Sequence, residues 1–525
     1  MSATTVPGTR AGTREWLGLA VLLLPTVLLF LAMTVLFLAT PQIAADLGPS
    51  SGQLLWINDV YGLVMAGLLV AMGTVGDRVG RRRVLMFGAV AFGAASVAAA
   101  FAPDAGWLIA TRAVMGVGAA AVMPSTLSLI SNMFQNDRQR ATAIGLWAAS
   151  VSVGVAIGPL VGGLLLESFW WGAALLIGVP VMALVLVAAP LLVPEYKAPA
   201  AGSLDVPSVL LSMASLLPIV YGIKEFAKHG LNATAIVTAL VGLVFSVVFV
   251  RRQLRLATPL LDVRLFADRT FSGALGVFLF SAIALGGVYL LFTQYLQLVA
   301  GQSPLESGLW ILPAALALIA VSMISPKVAQ RVRPAYVVAV GAVFSVAGYL
   351  VLTQVDAGLP LLITGFYLLY PGIAPTMALT TNLVIGAAPP EKAGAASAVN
   401  TTASDLGVSL GIAILGSLGA AIYRAQMPDD VPGTAADTLP GALAAAETLP
   451  DAQAATLVDQ ARDAFTDGLN VAAGGAAALA VLAAVLAFTL LRRVPAAGAA
   501  GAAGAAEASG APAATGREEG ELVGA

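Results

Sequence analysis

Long apolar runs separated by short polar connections recur along the chain, and each is long enough to cross a bilayer as a helix. A spanning helix needs about 20 mostly apolar residues. On that measure six candidates come first, at 16–40, 54–75, 83–103, 107–130, 139–164 and 171–192. Two follow at 204–223 and 233–251, and six more at 271–298, 305–326, 335–354, 359–385, 394–422 and 468–491. Backbone amides within a bilayer must be satisfied internally, so the predicted class is an all-α membrane protein with 14 transmembrane helices. The first run exceeds the apolar core of about 7–15 residues found in signal peptides, and it reads as a helix that is retained. The stretch from Ala496 to Ala525 has no aromatic residue and no periodic apolar face. The segment 492–525 therefore reads as a disordered cytoplasmic tail.

Lysine and arginine fix the sides. Asp77 to Arg83, Asp137 to Arg140, Arg251 to Arg269, Lys327 to Arg333 and Arg492-Arg493 fall at one end of the predicted spans. The alternate connections near Pro49, Pro103, Ser168, Gly301 and Asp356 carry no Lys or Arg. The expectation is a basic cytoplasmic face that holds both termini, including 1–15. Lys224, Lys228, Arg424 and Arg462 are expected outside, and Arg112 within a helix. Residues 423–467 form the one long outer connection. Gly441 to Glu447 and Asp451 to Phe465 read either as short amphipathic helices over the outer mouth or as a solvated loop.

Composition supports lipid as the main solvent. The chain is 59% hydrophobic and 10% charged, against the usual charged share of about a quarter, and its mean hydropathy is +0.92. A net charge of −2 offers no field for nucleic acid. With no cysteine and one histidine, His229, thiolate metal sites, disulfides and cysteine nucleophiles are excluded, and no metal site is expected.

Three patterns carry chemistry. Gly73-Thr74-Val75-Gly76-Asp77-Arg78-Val79-Gly80-Arg81-Arg82-Arg83 follows the second span. Its glycines let two helix ends approach through a tight turn. Asp77 can there accept charged hydrogen bonds from Arg78, Arg81 or Arg82, giving a latch that forms in one state and breaks in another. The plainer reading is an ordinary positive-inside loop. Arg112, followed by Gly116 and Gly118, puts a guanidinium at membrane depth, where it either faces a polar interior, as a candidate for the proton-coupling and substrate site, or snorkels as a structural arginine. In the fifth span Gly154, Gly158 and Gly162, with Gly163, form a groove for close helix contact, and Pro159 bends the helix.

In this order the three patterns resemble the signatures of the major facilitator superfamily, and Gly158-Pro159 resembles the mark of its drug–proton antiporters. The nearer resemblance is to fourteen-span antiporters of the Qac type, which export quaternary ammonium compounds and dyes. It rests on Leu55-Trp56-Ile57-Asn58-Asp59-Val60-Tyr61, Met123-Pro124-Ser125-Thr126-Leu127-Ser128, Arg140-Ala141-Thr142-Ala143 and Ile223-Lys224-Glu225-Phe226. It continues in Pro259 to Phe266 and in Ser307-Gly308-Leu309-Trp310. The resemblance implies the major facilitator fold and alternating access. It divides the chain into a six-helix bundle over 16–192, two inserted helices over 193–252 and a second six-helix bundle over 253–491.

Two acids sit at membrane depth, Asp59 in span two and Asp405 in span thirteen. Burial makes their anions expensive, which suits groups that cycle between a proton and a cation. Thr401, one turn before Asp405, shares its face. A structural cap or loop partner is the rival reading for Asp59, and a structural role the rival for Asp405. Glu15, Glu167 and Glu306 fall at helix ends. The exporters that this chain resembles carry an acid where it has Ala32, a pair of acids where it has Asn400 and Thr401, and in one case an acid where it has Leu318. Fewer anionic partners therefore remain for a divalent cation. Trp147, Tyr289, Phe292, Tyr295, Met377 and Asn382 are candidates for an apolar and aromatic cavity wall, with plain packing as the alternative.

No Gly-Lys dipeptide exists to end a phosphate-binding loop. Gly48-Pro49-Ser50-Ser51-Gly52 has the spacing of a nucleophile elbow without its strand-to-helix context. The chain is expected to be a transporter and not an enzyme. It would be a monomer in the bacterial inner membrane, exporting amphipathic, cationic small molecules, with the proton gradient in place of a cofactor. Export of an endogenous metabolite, antibiotic or lipid is the alternative, and uptake by symport a weaker one.

Overall fold

The computed structural model describes residues 11–197, 205–256, 259, 261–355, 358–387, 393–428, 431, 433–492 and 494. The first ten residues, and the expected tail apart from 492 and 494, lie outside the described residues. Among the described residues, fourteen helices are long and apolar enough to cross a membrane. They are α1 (Thr13–Leu47), α2 (Ser51–Val79), α3 (Arg81–Ala100), α4 (Ala105–Met133), α5 (Asp137–Ser168) and α6 (Trp171–Leu192, interrupted at Ile177). Next come α7 (Val206–His229) and α8 (Ala233–Arg255). The last six are α9 (Arg269–Val299), α10 (Pro304–Ala329), α11 (Pro334–Leu352), α12 (Leu359–Ala387), α13 (Val399–Gln426) and α14 (Asp451–Leu491).

The helices form two bundles with the same internal pairing. In the first, α1 packs on α5 and α6, α2 on α4, and α3 on α4 and α6. In the second, α9 packs on α13 and α14, α10 on α12, and α11 on α12 and α14. The glycines repeat as well. A Cβ on Gly88 would lie 2.7 Å from the Gly118 carbonyl across α3–α4, and one on Gly372 would lie 2.7 Å from the Gly341 carbonyl across α11–α12. Small residues at such crossings bring backbones together where lipid offers no hydrophobic drive between helices. Between the halves, α5 meets α10 and α2 meets α13. The inserted helices pair with each other, and α7 lies against α2 and α13. The outer surface of α8 is a run of exposed apolar residues, among them Leu240, Leu243 and Val244, as a lipid-facing helix requires.

Two expectations change. Asp451 to Phe465 is not a separate surface helix but the opening turns of α14, 41 residues long. Alanine-rich sequence favours helix, and Leu457, Ala461, Ala464 and Phe465 bury one face of it. The remaining connection holds two short helices, Gly433–Asp437 and Leu439–Ala446. Lys224 is not in an outer loop, because α7 runs on to His229 and the lysine is buried at 5% exposure. Arg424 and Arg462 likewise lie in helices, where Arg424 donates to Ser51 at 2.7 Å and Arg462 to the Leu298 carbonyl at 3.1 Å. The side chain of Lys228 lies outside what is described.

Candidate functional site

Asp405 sits on α13 where that helix crosses α2, at the seam between the halves. Above and below it, Thr402 donates to the Ala66 carbonyl at 3.4 Å and Ser409 to the Asp59 carbonyl at 3.4 Å. Gly62 admits this approach, since a Cβ there would come within 2.8 Å of the Ser409 hydroxyl. Asp405 is 3% exposed, and its Oδ2 has no hydrogen-bond partner among the described residues. No basic side chain among them pairs with it. An apolar cavity of about 400 Å³ lies between α2, α7, α8, α9 and α13, with Leu216, Phe249, Leu275, Thr402 and Leu406 among its lining; Asp405 is not part of that lining. A buried carboxyl oxygen without a partner is where a proton or a water would be accommodated.

Asp59 has a different environment. Its two carboxylate oxygens lie 2.9 and 2.8 Å from Lys224 Nζ on α7. Lys224 Nζ also stands 3.8 Å from the Trp56 ring centroid. The predicted pair of membrane acids is therefore unequal, with one neutralised by the chain and one not.

Arg112 on α4 is fully buried and lies over the Tyr61 ring, 4.6 Å from its centroid. Its Nε donates to the Ile57 carbonyl at a long 3.4 Å, and neither Nη has a partner among the described residues. Tyr61 donates to the Leu29 carbonyl at 3.2 Å. Arg112 thus faces the interior and does not snorkel. Ala32, one turn past Leu29, is buried at 4% exposure.

The aromatic candidates do not form an open wall in this conformation. Phe292 stacks on Phe366 with centroids 3.9 Å apart, Phe366 on Tyr370 at 4.7 Å, and Tyr289 meets Phe37 of the other half edge-on at 5.3 Å. Tyr289, Phe292 and Tyr295 are all buried, because the rings fill the space between α1, α9 and α12. Trp147 is half-buried and donates to Thr126 at 3.1 Å. Asn400, half of the position that carries acids in similar exporters, donates to Thr381 at 3.0 Å, while Thr401 and Met377 are half-buried and Asn382 is exposed.

In the basic segment, Asp77 pairs with Arg81 at 2.6 Å across the turn between α2 and α3. Gly80 has φ of 122°, and a Cβ there would strike the Glu195 carboxylate. Glu195, which follows α6, accepts from the Arg82 backbone N–H at 2.9 Å. The Arg82 side chain caps the carbonyl of Val193 at 3.0 Å. Arg78 points outward, and Gly73 meets Pro124 of α4 only at ordinary contact distance, 3.8 Å. The latch residues are therefore joined within the first bundle. Nearby, outside the spans, Asp205 caps α7 and accepts from Arg252 at 2.7 Å; this hydrogen bond holds the Asp205 carboxyl below the usual range.

On α5, a Cβ at Gly154 would come within 2.5 Å of the Val27 carbonyl of α1, one at Gly158 would strike Thr34, and one at Gly162 would come within 3.0 Å of Val35. The Gly163 side faces the second half, with its Cβ position 2.7 Å from the Pro304 carbonyl of α10, and Gly308 in turn is pressed onto the Pro159 carbonyl. One helix is thereby packed against its own bundle by three glycines and against the other bundle by Pro159 and Gly163.

Residues 22–412 match the profile of the Major Facilitator Superfamily. The chain belongs to this superfamily. Like the superfamily's other members it is a multi-pass membrane transporter and not an enzyme. Within the superfamily it is 43% identical to the multidrug efflux pump LfrA of Mycolicibacterium smegmatis, over 92% of this chain and 98% of that protein. It is 36% identical to the methyl viologen resistance protein SmvA of Salmonella typhimurium, over 90% of this chain and 97% of that protein. Its fold is that of a bacterial homolog of the human lysosomal transporter Spinster, with a TM-score of 0.66 at 17% identity, covering 92% of this chain and 98% of that one.

Lys224, Tyr61, Glu195, Phe366 and Tyr370 escaped the sequence reading as site residues. Ile223-Lys224-Glu225-Phe226 offered a signal for the first, since a lysine there falls at the end of an apolar run. Glu195 and Phe366 carried none.

Proposed function

We propose that this transporter exports amphipathic small molecules, lipophilic cations among them, from the bacterial cytoplasm in exchange for protons. Asp405 is the group that alternates between a proton and cargo. The observation that carries the reading is Asp405 itself, a buried carboxyl at the seam between the halves with no basic partner among the described residues. Asp59 serves less well, because Lys224 already compensates it. Similarity to a multidrug efflux pump and to a methyl viologen resistance protein supports the export of foreign, cationic solutes. The gradient supplies the energy, so no cofactor is needed, and one chain suffices because both halves of the pathway are in it.

The positive-inside rule places the basic end and both termini in the cytoplasm. The halves touch at the opposite end, through Gly163 and Pro304, Gln297 and the Leu38 carbonyl at 3.0 Å, and Arg424 and Ser51. At the basic end, Arg82 with Val193 and Arg333 with Arg492 join elements of the same half. On this reading the conformation is open to the cytoplasm, ready to load cargo.

Everted membrane vesicles test the mechanism. An imposed pH gradient should drive transport of a cationic dye by the wild type, while Asp405→Asn should reduce gradient-driven transport at least about a hundredfold, the scale of losing a positioned proton-transfer group, with insertion unchanged. Undiminished pumping by Asp405→Asn would remove this residue from the mechanism.

A further inference from the structure

The charge on the inserted helix α7 calls for an explanation, because burying an ion pair in an apolar setting seldom gains stability over a well-packed apolar pair. Lys224 is 5% exposed and Asp59 is 1% exposed. Lys224 Nζ has the Asp59 carboxylate at 2.8 Å on one side and the Trp56 ring centroid at 3.8 Å on the other. A carboxylate beside an open aromatic face is the arrangement by which proteins hold organic ammonium groups. Here the ammonium belongs to the chain itself and comes from a helix outside both six-helix bundles.

We propose that Asp59 and Trp56 form a second organic-cation site, and that Lys224 is its tethered competitor, which a monovalent lipophilic cation must displace. This rests on the reading that cations are among the cargo, and it names what sets their affinity. The lysine has somewhere to go. It lies five residues before the end of α7 at His229, about 7–8 Å of helix rise, and its flexible stem can carry the ammonium toward the interface by snorkelling. At that end Glu225 is only partly buried and accepts from His229 at 2.9 Å and Asn232 at 3.3 Å, which marks a polar, wetted helix terminus. Binding at Asp59 is then an exchange of one cation for another. A neutral solute carries no charge to exchange with Lys224 and is indifferent to it.

The experiment is equilibrium binding of tetraphenylphosphonium and of a neutral dye to the purified full chain. Lys224→Met should bind tetraphenylphosphonium about tenfold or more tighter, the scale of one charge pair gained in a desolvated site. Adding Asp59→Asn should abolish the gain, and the neutral dye should bind equally throughout. The wild type gives a readout that requires no substitution: saturating tetraphenylphosphonium should speed labelling of Lys224 by a water-soluble amine reagent, followed by mass spectrometry. Because the chain has no cysteine, Lys224→Cys supplies a third arm. A methanethiosulfonate that installs an ammonium should return the affinity to the wild-type level, and a neutral one should not. A folded Lys224→Met that binds the cation no tighter, a gain that survives Asp59→Asn, or Lys224 labelling unchanged by the cation would each overturn the proposal. If these fail while the wild type still exports cationic dyes, only this inference falls. If the wild type exports no cation, the functional reading falls instead.

Discussion

Two aspartates of the same membrane-spanning core differ in what one substitution should do to them. Asp59 is held by Lys224, so Asp59→Asn strands a buried ammonium and should cost about 3–5 kcal/mol of stability. Asp405 has no basic partner among the described residues, so Asp405→Asn removes no ion pair and should leave the melting temperature in detergent close to the wild type. Equal losses in the two variants would mean that the ion pair does not govern the difference. Both aspartates were visible in the sequence, because an acid inside an apolar run stands out. Their inequality was not, because it depends on a lysine 165 positions away. Counting apolar residues ended this span at 223, where Lys224 and Glu225 fall together, and so put Lys224 outside. In fact α7 continues past it, and Asp59 and Trp56 compensate the charge that the count treated as a boundary.

At the scale of elements, α5 shows how one sequence motif divides into two jobs. Gly154 faces the Val27 backbone carbonyl within its own bundle, whereas Gly163 faces Pro304 across the seam. A valine at either site meets backbone, which cannot step aside, and overpacking of this kind costs typically about 1–3 kcal/mol. Gly154→Val should therefore lower thermal stability. Gly163→Val should depress transport more than stability, because under alternating access a contact between the halves must break and re-form in each cycle. Measuring melting and dye export on the same two variants checks this, and the reverse ranking would dissociate Gly163 from closure. The close spacing of α1 and α5 could be read from the four-residue glycine repeat. That Pro159 and Gly163 reach the second bundle could not, since nothing in the repeat names a partner 145 or so positions on. The opening of α14 was missed for a related reason. A stretch containing Asp451, Asp459 and Asp463 reads as a short amphipathic helix or a solvated loop and not as part of a span, yet its small and apolar residues at helical spacing bury a stripe and continue into α14.

For the whole molecule, the number of spans, their order and the basic end were legible, because hydropathy and lysine–arginine asymmetry act over long windows and tolerate local error. Which end is open was not legible, since both arrangements share one sequence. Asn382 offers a test. It is exposed near the basic end of α12, and in a cysteine-free chain Asn382→Cys is a unique thiol. A membrane-impermeant maleimide should label it faster in inside-out than in right-side-out vesicles, and the opposite order would overturn the assigned orientation.

The reciprocal glycine contacts of α3 with α4 and of α11 with α12 carry a mechanical corollary. Each pair is pressed backbone to backbone, so neither member can slide or tilt without the other. Both pairs should travel as stiff planks through the working cycle, leaving the bending to α1, α2, α5 and their counterparts α9, α10, α13.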